Sequence, residues 1–298
     1  MRDSAPPGRS GRSTSIAYII SAYTLPDQLI RLVQRLDSKG SSFFIHVDKK
    51  TDDAIFRRLS TALSTRPNVH FLSRHRCEYG GFGHVRATIK GIIELLRSGQ
   101  PFDYTVLLTG QDYPIKSNVQ IEEFFARQSG RSFLEYFPLP HADWTHGGLD
   151  RLQFRHYRFL GRHYRLRRPT GATFDERFPS LRLFGGSAYW CLSRECTEYV
   201  HKFFCKEAAY THFFRYVDVP DEIFFHTIIL NSPLRERVVN DDLRFLEWRN
   251  PAVASGPAIL TAQDFEKVAK SPKLFARKFD ITKDAEILDM IDTRTAEE

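Results

Sequence analysis

Cysteine is scarce in this chain of 298 residues. Cys77, Cys191, Cys196 and Cys205 show no metal-ligand spacing and are too few for a disulfide scaffold, which fits buried thiols in a reducing compartment. Long apolar runs are also missing. A membrane span needs ~20 mostly apolar residues, and Ile16 to Ala22 is too short and too polar to supply one. The stretch 1–15 is rich in Pro, Gly, Ser and Arg and lacks the apolar run of a signal peptide, so a disordered tail is expected there. No Gly-x-Gly-x-x-Gly follows the first candidate strand and no Walker-type loop occurs, which argues against ordinary dinucleotide and ATP sites. Internal repeats and interdomain linkers are absent as well.

With 42% hydrophobic and 13% aromatic residues, the chain can bury a sizeable core as one large domain, expected over 16–282. Strand-like and helix-like segments alternate. Strands are expected at 16–21, 42–47, 69–72 and 104–109, and helices at 26–36, 53–63 and 84–97, with a short helix or tail over 283–298. This alternation predicts an α/β fold, a mostly parallel twisted sheet flanked by helices. Such sheets bind ligands at the carboxyl ends of their strands. Two polar clusters stand there: His46-Val47-Asp48-Lys49-Lys50 after the second strand and Thr109-Gly110-Gln111-Asp112-Tyr113-Pro114 after the fourth. Each could also be no more than a turn.

The net charge of +7 is concentrated in one segment. Arg151, Arg155, Arg158, Arg162, Arg165, Arg167 and Arg168 are interleaved with His156, Tyr157, His163 and Tyr164. Such a mixture could bind nucleic acid, an anionic membrane surface or an acidic glycan, or form a solvated loop. It matches no nucleic-acid motif, so no nucleic-acid partner is expected.

The run Asp218-Val219-Pro220-Asp221-Glu222-Ile223-Phe224-Phe225-His226 places two carboxylates at the expected start of an apolar helix. Pro220 pre-sets the angle of a first helical turn, and Ile223 to Leu230 would anchor it in a core. Glu222 would then stand at a helix mouth as a candidate base, or the two acids could simply complement the helix dipole. Near the other end, Arg277-Lys278 is flanked by Phe275, Ala276 and Phe279. A planar fork beside a point charge suits the two phosphates of a nucleotide sugar.

The ordered motifs His46-Val47-Asp48, Thr109 to Ser117, Gly185-Gly186-Ser187-Ala188-Tyr189, Pro220-Asp221-Glu222 and Phe275-Ala276-Arg277-Lys278-Phe279 resemble those of a known family. It comprises the core-2/I-branching β-1,6-N-acetylglucosaminyltransferases and the related peptide O-xylosyltransferases. The resemblance runs from Ile16 to about Asp280 and implies a GT-A type nucleotide-sugar-binding fold. It implies Glu222 as general base and Lys278 with Arg277 as holders of a UDP diphosphate. His46, Asp48, Asp112 and Ser187 become candidate contacts for the nucleotide or donor sugar. Tyr79, Trp144 and Trp248 are candidate acceptor-stacking aromatics, Asp221 is a further candidate, and Arg249 could give a second diphosphate contact.

The activity implied is inverting transfer of N-acetylglucosamine or xylose from a UDP-sugar to a hydroxyl of a glycan or peptide. No metal cofactor is expected, because Gln111-Asp112 offers one carboxylate where a metal-binding Asp-x-Asp would offer two; Asp241-Asp242, after a strand expected at 237–239, could instead bind a metal or form a turn. Gly147 to Leu152 and Ala276 to Phe279 resemble the xylosyl branch, while Ala188 and Asp221 resemble the other. With few cysteines and no anchor, the chain looks like a bacterial-type cytoplasmic member, with the basic segment able to hold it against the inner face of the membrane. The alternatives are a glycoside hydrolase using Glu222 with Glu135 or Asp112, or a basic protein that binds glycan, membrane or nucleic acid.

Overall fold

The structure, a computed structural model, describes residues 13–159, 162–169, 172–249 and 256–297. In chain order the strands are β1 (Ile16–Ala22), β2 (Ser41–Val47), β3 (Val69–Phe71), β4 (Tyr104–Thr109), β5 (Asp112–Pro114), β6 (Ser132–Leu134) and β7 (Phe137–Pro138). They continue with β8 (Phe154–Phe159), β9 (Arg162–Arg167), β10 (Phe184–Gly185), β11 (Trp190–Ser193), β12 (Val238–Val239), β13 (Arg244–Leu246) and β14 (Phe275–Arg277).

The main sheet has the order β12-β6-β11-β4-β1-β2-β3. Its neighbours are parallel except at β11, which runs antiparallel to both β4 and β6. The fold is therefore α/β with a mostly parallel central sheet, as the alternation predicts. β1 is buried on both faces, and its alternate residues enter two separate core layers. Ile16, Tyr18 and Ile20 pack with Leu29, Leu32 and Val33 of the helix Pro26–Leu36. Ala17 and Ile19 pack with Ile89 and Ile92 of the helix Gly83–Ser98 on the other side. That helix comes so close that a Cβ on Gly91 would lie 2.6 Å from Ile19 Cγ2.

A second, three-stranded sheet, β13-β14-β5, sets Asp112 directly opposite Arg277. The segment after Gln111 is thus a strand as well as a turn. The helix Glu286–Glu297 buries Ile287, Leu288 and Ile291 in the first core layer, and its Asp292 accepts from Arg31, Arg35 and Tyr113. It is an integral element of the domain.

Three expectations are corrected. The tail ends earlier than residue 15, because Thr14 and Ser15 are buried and the Ser15 amide donates to Asp103 Oδ2 at 2.8 Å; residues 1–12 of that tail lie outside the described residues. The strand expected at 237–239 is reduced to β12, since Arg235–Arg237 forms a 3₁₀ turn. The helix expected to begin at Pro220 is split into a 3₁₀ turn, Pro220–Glu222, and a helix, Phe224–Leu230. Ile223 breaks it at φ −133, ψ −38. Burial of Ile223, Phe224 and Phe225 in the second core layer, each worth ~1.5–3 kcal/mol, decides that geometry over local helix propensity.

Candidate active site

Glu222 stands in the 3₁₀ turn ahead of the helix, not in its first turn. The turn starts from Val219, at φ 44, whose amide donates to Gly80 O at 2.8 Å. The half-buried Glu222 carboxylate accepts from Arg151 Nη1 at 2.6 Å through Oε2. Burial pushes its pKa above the ordinary range, Arg151 pulls it down and Asp221 pushes it up, leaving it raised. A raised pKa suits a base that must take a proton near neutrality. The Arg151 guanidinium also lies 3.8 Å over the Trp144 ring.

Trp144 in turn rests on glycine. A Cβ on Gly185 would fall 2.8 Å from the indole Cη2, and one on Gly186 would fall 2.0 Å from Glu135 O. Only a Gly-Gly pair lets this backbone come so close, and Gly186 then donates its amide to Glu222 O at 3.0 Å. Beside Trp144 opens a polar cavity of ≈ 590 Å³ lined by Glu135, Tyr136, Phe137, His141 and Asn240 among others. Asp221 precedes Glu222 in the same 3₁₀ turn. Burial raises its pKa, and its Oδ1 has no hydrogen-bond partner.

Arg277 and Lys278 leave the end of β14 beside the carboxyl end of β4. Arg277 Nη1 donates to Thr109 Oγ1 and stands 3.8 Å from Asp112 Oδ2. Asp112 is wholly buried; its Oδ2 accepts from the Thr109 amide and hydroxyl, and its Oδ1 lies 3.5 Å from Arg244 Nε. The carboxylate therefore holds two arginines from inside the protein. Sequence reading placed it among donor contacts; in the structure it is turned into the core. The Tyr189 ring lies 4.5 Å from the Arg244 guanidinium and 5.2 Å from that of Arg277. Burial raises the pKa of its hydroxyl, and Arg277 and Arg244 act against that rise. Lys278 is half-buried, with its pKa lowered by burial and by Arg277. Among the described residues no ion pair occupies its ammonium.

The other candidates divide. Ser187 donates to Asp242 Oδ2 at 2.7 Å, and Asp242 Oδ1 accepts from the Arg244 amide. Asp241 pairs with Lys273 at 2.7 Å. His46 is buried with its Nε2 3.0 Å from His75 Nδ1. Asp48, also buried, accepts from the Lys50 and Cys77 amides, tying the end of β2 to the loop before the helix Gly83–Ser98. Tyr79 and Trp248 are exposed, at 78% and 54%. The exposed Arg249 pairs with the buried Asp264. Three of the four thiols are buried and Cys205 is exposed.

The basic segment is not a loop. It makes a short helical turn, Asp150–Gln153, followed by a hairpin of β8 and β9. Every residue of β9 is exposed, while Arg158 pairs with Asp218, Arg168 is buried and Arg151 reaches Glu222. Charge count alone hid that division of labour. Arg151 stood in the Gly-Gly-Leu-Asp-Arg-Leu motif and Tyr189 in the Gly-Gly-Ser-Ala-Tyr motif, so position within a motif was the available signal. Arg244 carried none.

The chain belongs to the Core-2/I-Branching enzyme family of glycosyltransferases, whose model matches residues 16–269. Xylosyltransferase 2 of Rattus norvegicus is 27% identical over 304 residues, covering 95% of this chain and 34% of that protein. Xylosyltransferase 1 of Homo sapiens is 28% identical over 285 residues, covering 89% and 28%. The chain thus spans about a third of the length of these curated relatives. A solved 4-diphosphocytidyl-2C-methyl-D-erythritolsynthase from Anaerococcus prevotii aligns at a TM-score of 0.34 with 13% identity, covering 66% of this chain and 76% of that one. Among the described residues no helix is long and apolar enough to cross a membrane.

Proposed function

We propose that the protein is an inverting glycosyltransferase of GT-A type that moves N-acetylglucosamine or xylose from a UDP-sugar to a hydroxyl of a glycan or peptide. The observation that carries this reading is the Glu222 carboxylate, fixed by Arg151 at 2.6 Å and raised in pKa by burial. Glu222 takes the proton of the acceptor hydroxyl as its oxygen bonds to the anomeric carbon. The bond from that carbon to the diphosphate breaks on the opposite face, which turns an α-linked donor into a β-linked product. General-base help of this kind is worth ~10²–10⁴ in rate.

The leaving diphosphate gains negative charge. Lys278 and Arg277 supply fixed cations for it, and preorganised charge of this sort is worth several kcal/mol. The acids that could serve a metal instead are engaged by protein: Asp112 by two arginines, Asp241 by Lys273, and Asp242 by Ser187 and the Arg244 amide. This supports transfer without a divalent ion. The polar cavity beside Trp144 suits a hydroxylated acceptor, and the exposed arginines of β9 suit an anionic one.

The test is thermal stability of the purified protein with UDP, UDP-N-acetylglucosamine and UDP-xylose, each in EDTA and then in Mn²⁺, followed by turnover of Glu222→Gln. Stabilisation in EDTA that Lys278→Ala abolishes, with turnover lost in Glu222→Gln, is the expected result. No response to any nucleotide would overturn the proposal.

A further inference from the structure

Three metal-competent side chains converge outside the site just described. His156 on β8, His163 on β9 and Asp218 each present a donor atom, and these atoms all lie within 4.8 Å of one another. We infer that they form a binding site for a divalent transition-metal ion, with Zn²⁺ the best match, which ties the basic hairpin to the head of the Glu222 turn.

Hairpin register brings the two imidazoles together. Arg158 pairs with His163 across the strands and His156 with Arg165, so His156 and His163 are diagonal neighbours on one face. His156 Nδ1 lies 2.9 Å from His163 Nε2, and the rings stack with centroids 5.1 Å apart. Two nitrogens bound to one tetrahedral Zn²⁺ at its usual bond length stand about 3.3 Å apart, so an ion enters with a shift of a few tenths of an ångström. The other nitrogen of His156 is already oriented, with Nε2 3.3 Å from the carbonyl oxygen of Asp150. That contact needs the ring proton on Nε2, which leaves the Nδ1 lone pair facing the site, the outer-shell arrangement of metal-ligating histidines.

Asp218 supplies the third ligand. Its Oδ1 accepts from Arg158, and the carboxylate has a second oxygen to offer. Two imidazoles and one carboxylate suit Zn²⁺, Cu²⁺ or Ni²⁺ and not Mg²⁺ or Ca²⁺, which prefer oxygen throughout. His163 is exposed, so a hydrated ion can reach the site and keep a water as fourth ligand. The other such cluster, His46, His75 and Cys77, is less suited, because His46 and Cys77 are buried and His75 is hydrogen-bonded to both His46 and Gly83 O. The inferred ion is structural and takes no part in the donor chemistry proposed above.

The experiment uses the full chain carrying Cys205→Ser, which removes the surface thiol 3.5 Å from His201 as a competing ligand. The protein is stripped with EDTA and titrated with Co²⁺ and, separately, Zn²⁺. One equivalent of Co²⁺ should bind with visible ligand-field bands and no thiolate charge-transfer band, and Zn²⁺ should raise the melting temperature. Both effects should weaken at least tenfold in His163→Ala, which removes an exposed side chain and its contact with His156. Failure of the parent protein to bind, binding that survives His163→Ala, or a thiolate band that assigns the ion to Cys77 would each overturn the inference.

Discussion

Arg151 spends one guanidinium on two partners, donating to Glu222 Oε2 at 2.6 Å while lying 3.8 Å above the Trp144 ring. Its charge opposes the effect of burial on Glu222. The proposed general base must be ionised, so kcat should rise with pH through the Glu222 pKa. Arg151→Ala removes the interaction that lowers this pKa, and the acidic limb of the pH–rate profile should move to higher pH. Arg151→Lys should restore the charge without the stacked, planar geometry and recover only part of the activity. A limb that stays in place would separate Arg151 from the ionisation of Glu222.

In the proposed mechanism Lys278 and Arg277 are neighbours with different duties, and two variants should separate them. Lys278→Ala should lower kcat by about 10²–10³, the usual loss of one charge-stabilising donor, with the melting temperature unchanged. Arg277→Ala should lower stability too, by ~3 kcal/mol, because it removes one of the two cations that face the buried Asp112 carboxylate. Denaturant unfolding of the two variants, read beside their turnover, tests the division.

Asp221 should weaken the fold where it is ionised. Burial raises its pKa, and Oδ1 lacks a hydrogen-bond partner. Below the unfolded-state pKa both states carry the proton and nothing is lost; as pH rises through the folded value, burying the charge costs stability. Asp221→Asn should therefore match the parent near the acid end and exceed it at neutral pH. Melting curves across that range, with no gain at neutral pH, would contradict this.

His226 should make the protein acid-sensitive. It is wholly buried under the Gly185-Gly186 backbone, and burial lowers its pKa from 6.5 to about 4. Between those values the unfolded chain binds a proton that the folded chain refuses, so stability falls as pH falls, by roughly 3 kcal/mol over the window. The stability–pH slope should flatten there in His226→Gln, measured by denaturant unfolding at each pH.

Elements with strong local periodicity were legible in the sequence. The helices at Pro26–Leu36 and Asp53–Leu63 lie at their expected bounds because one apolar face and a Pro or Asp at the start suffice to define them. The turn at Glu222 was not, since the break at Ile223 is set by packing of Phe224 and Phe225 against distant residues. Nor was the inward turn of Asp112, which depends on β14 and Arg244 arriving from far along the chain. The hairpin was hidden because arginine occupies both of its faces, which erases the alternation that marks a strand.

The small sheet β13-β14-β5 joins residues widely separated in order of synthesis. All strands of the main sheet lie within residues 16–239, and the Glu222 turn is complete before β14 is made. A chain emerging from the ribosome thus makes the Glu222 turn first, while Asp112 stays without Arg277 until β14 follows. Under the proposed function, competence to hold a leaving group would come after the Glu222 turn is made, and a chain released before β14 would lack charge at one end of its site.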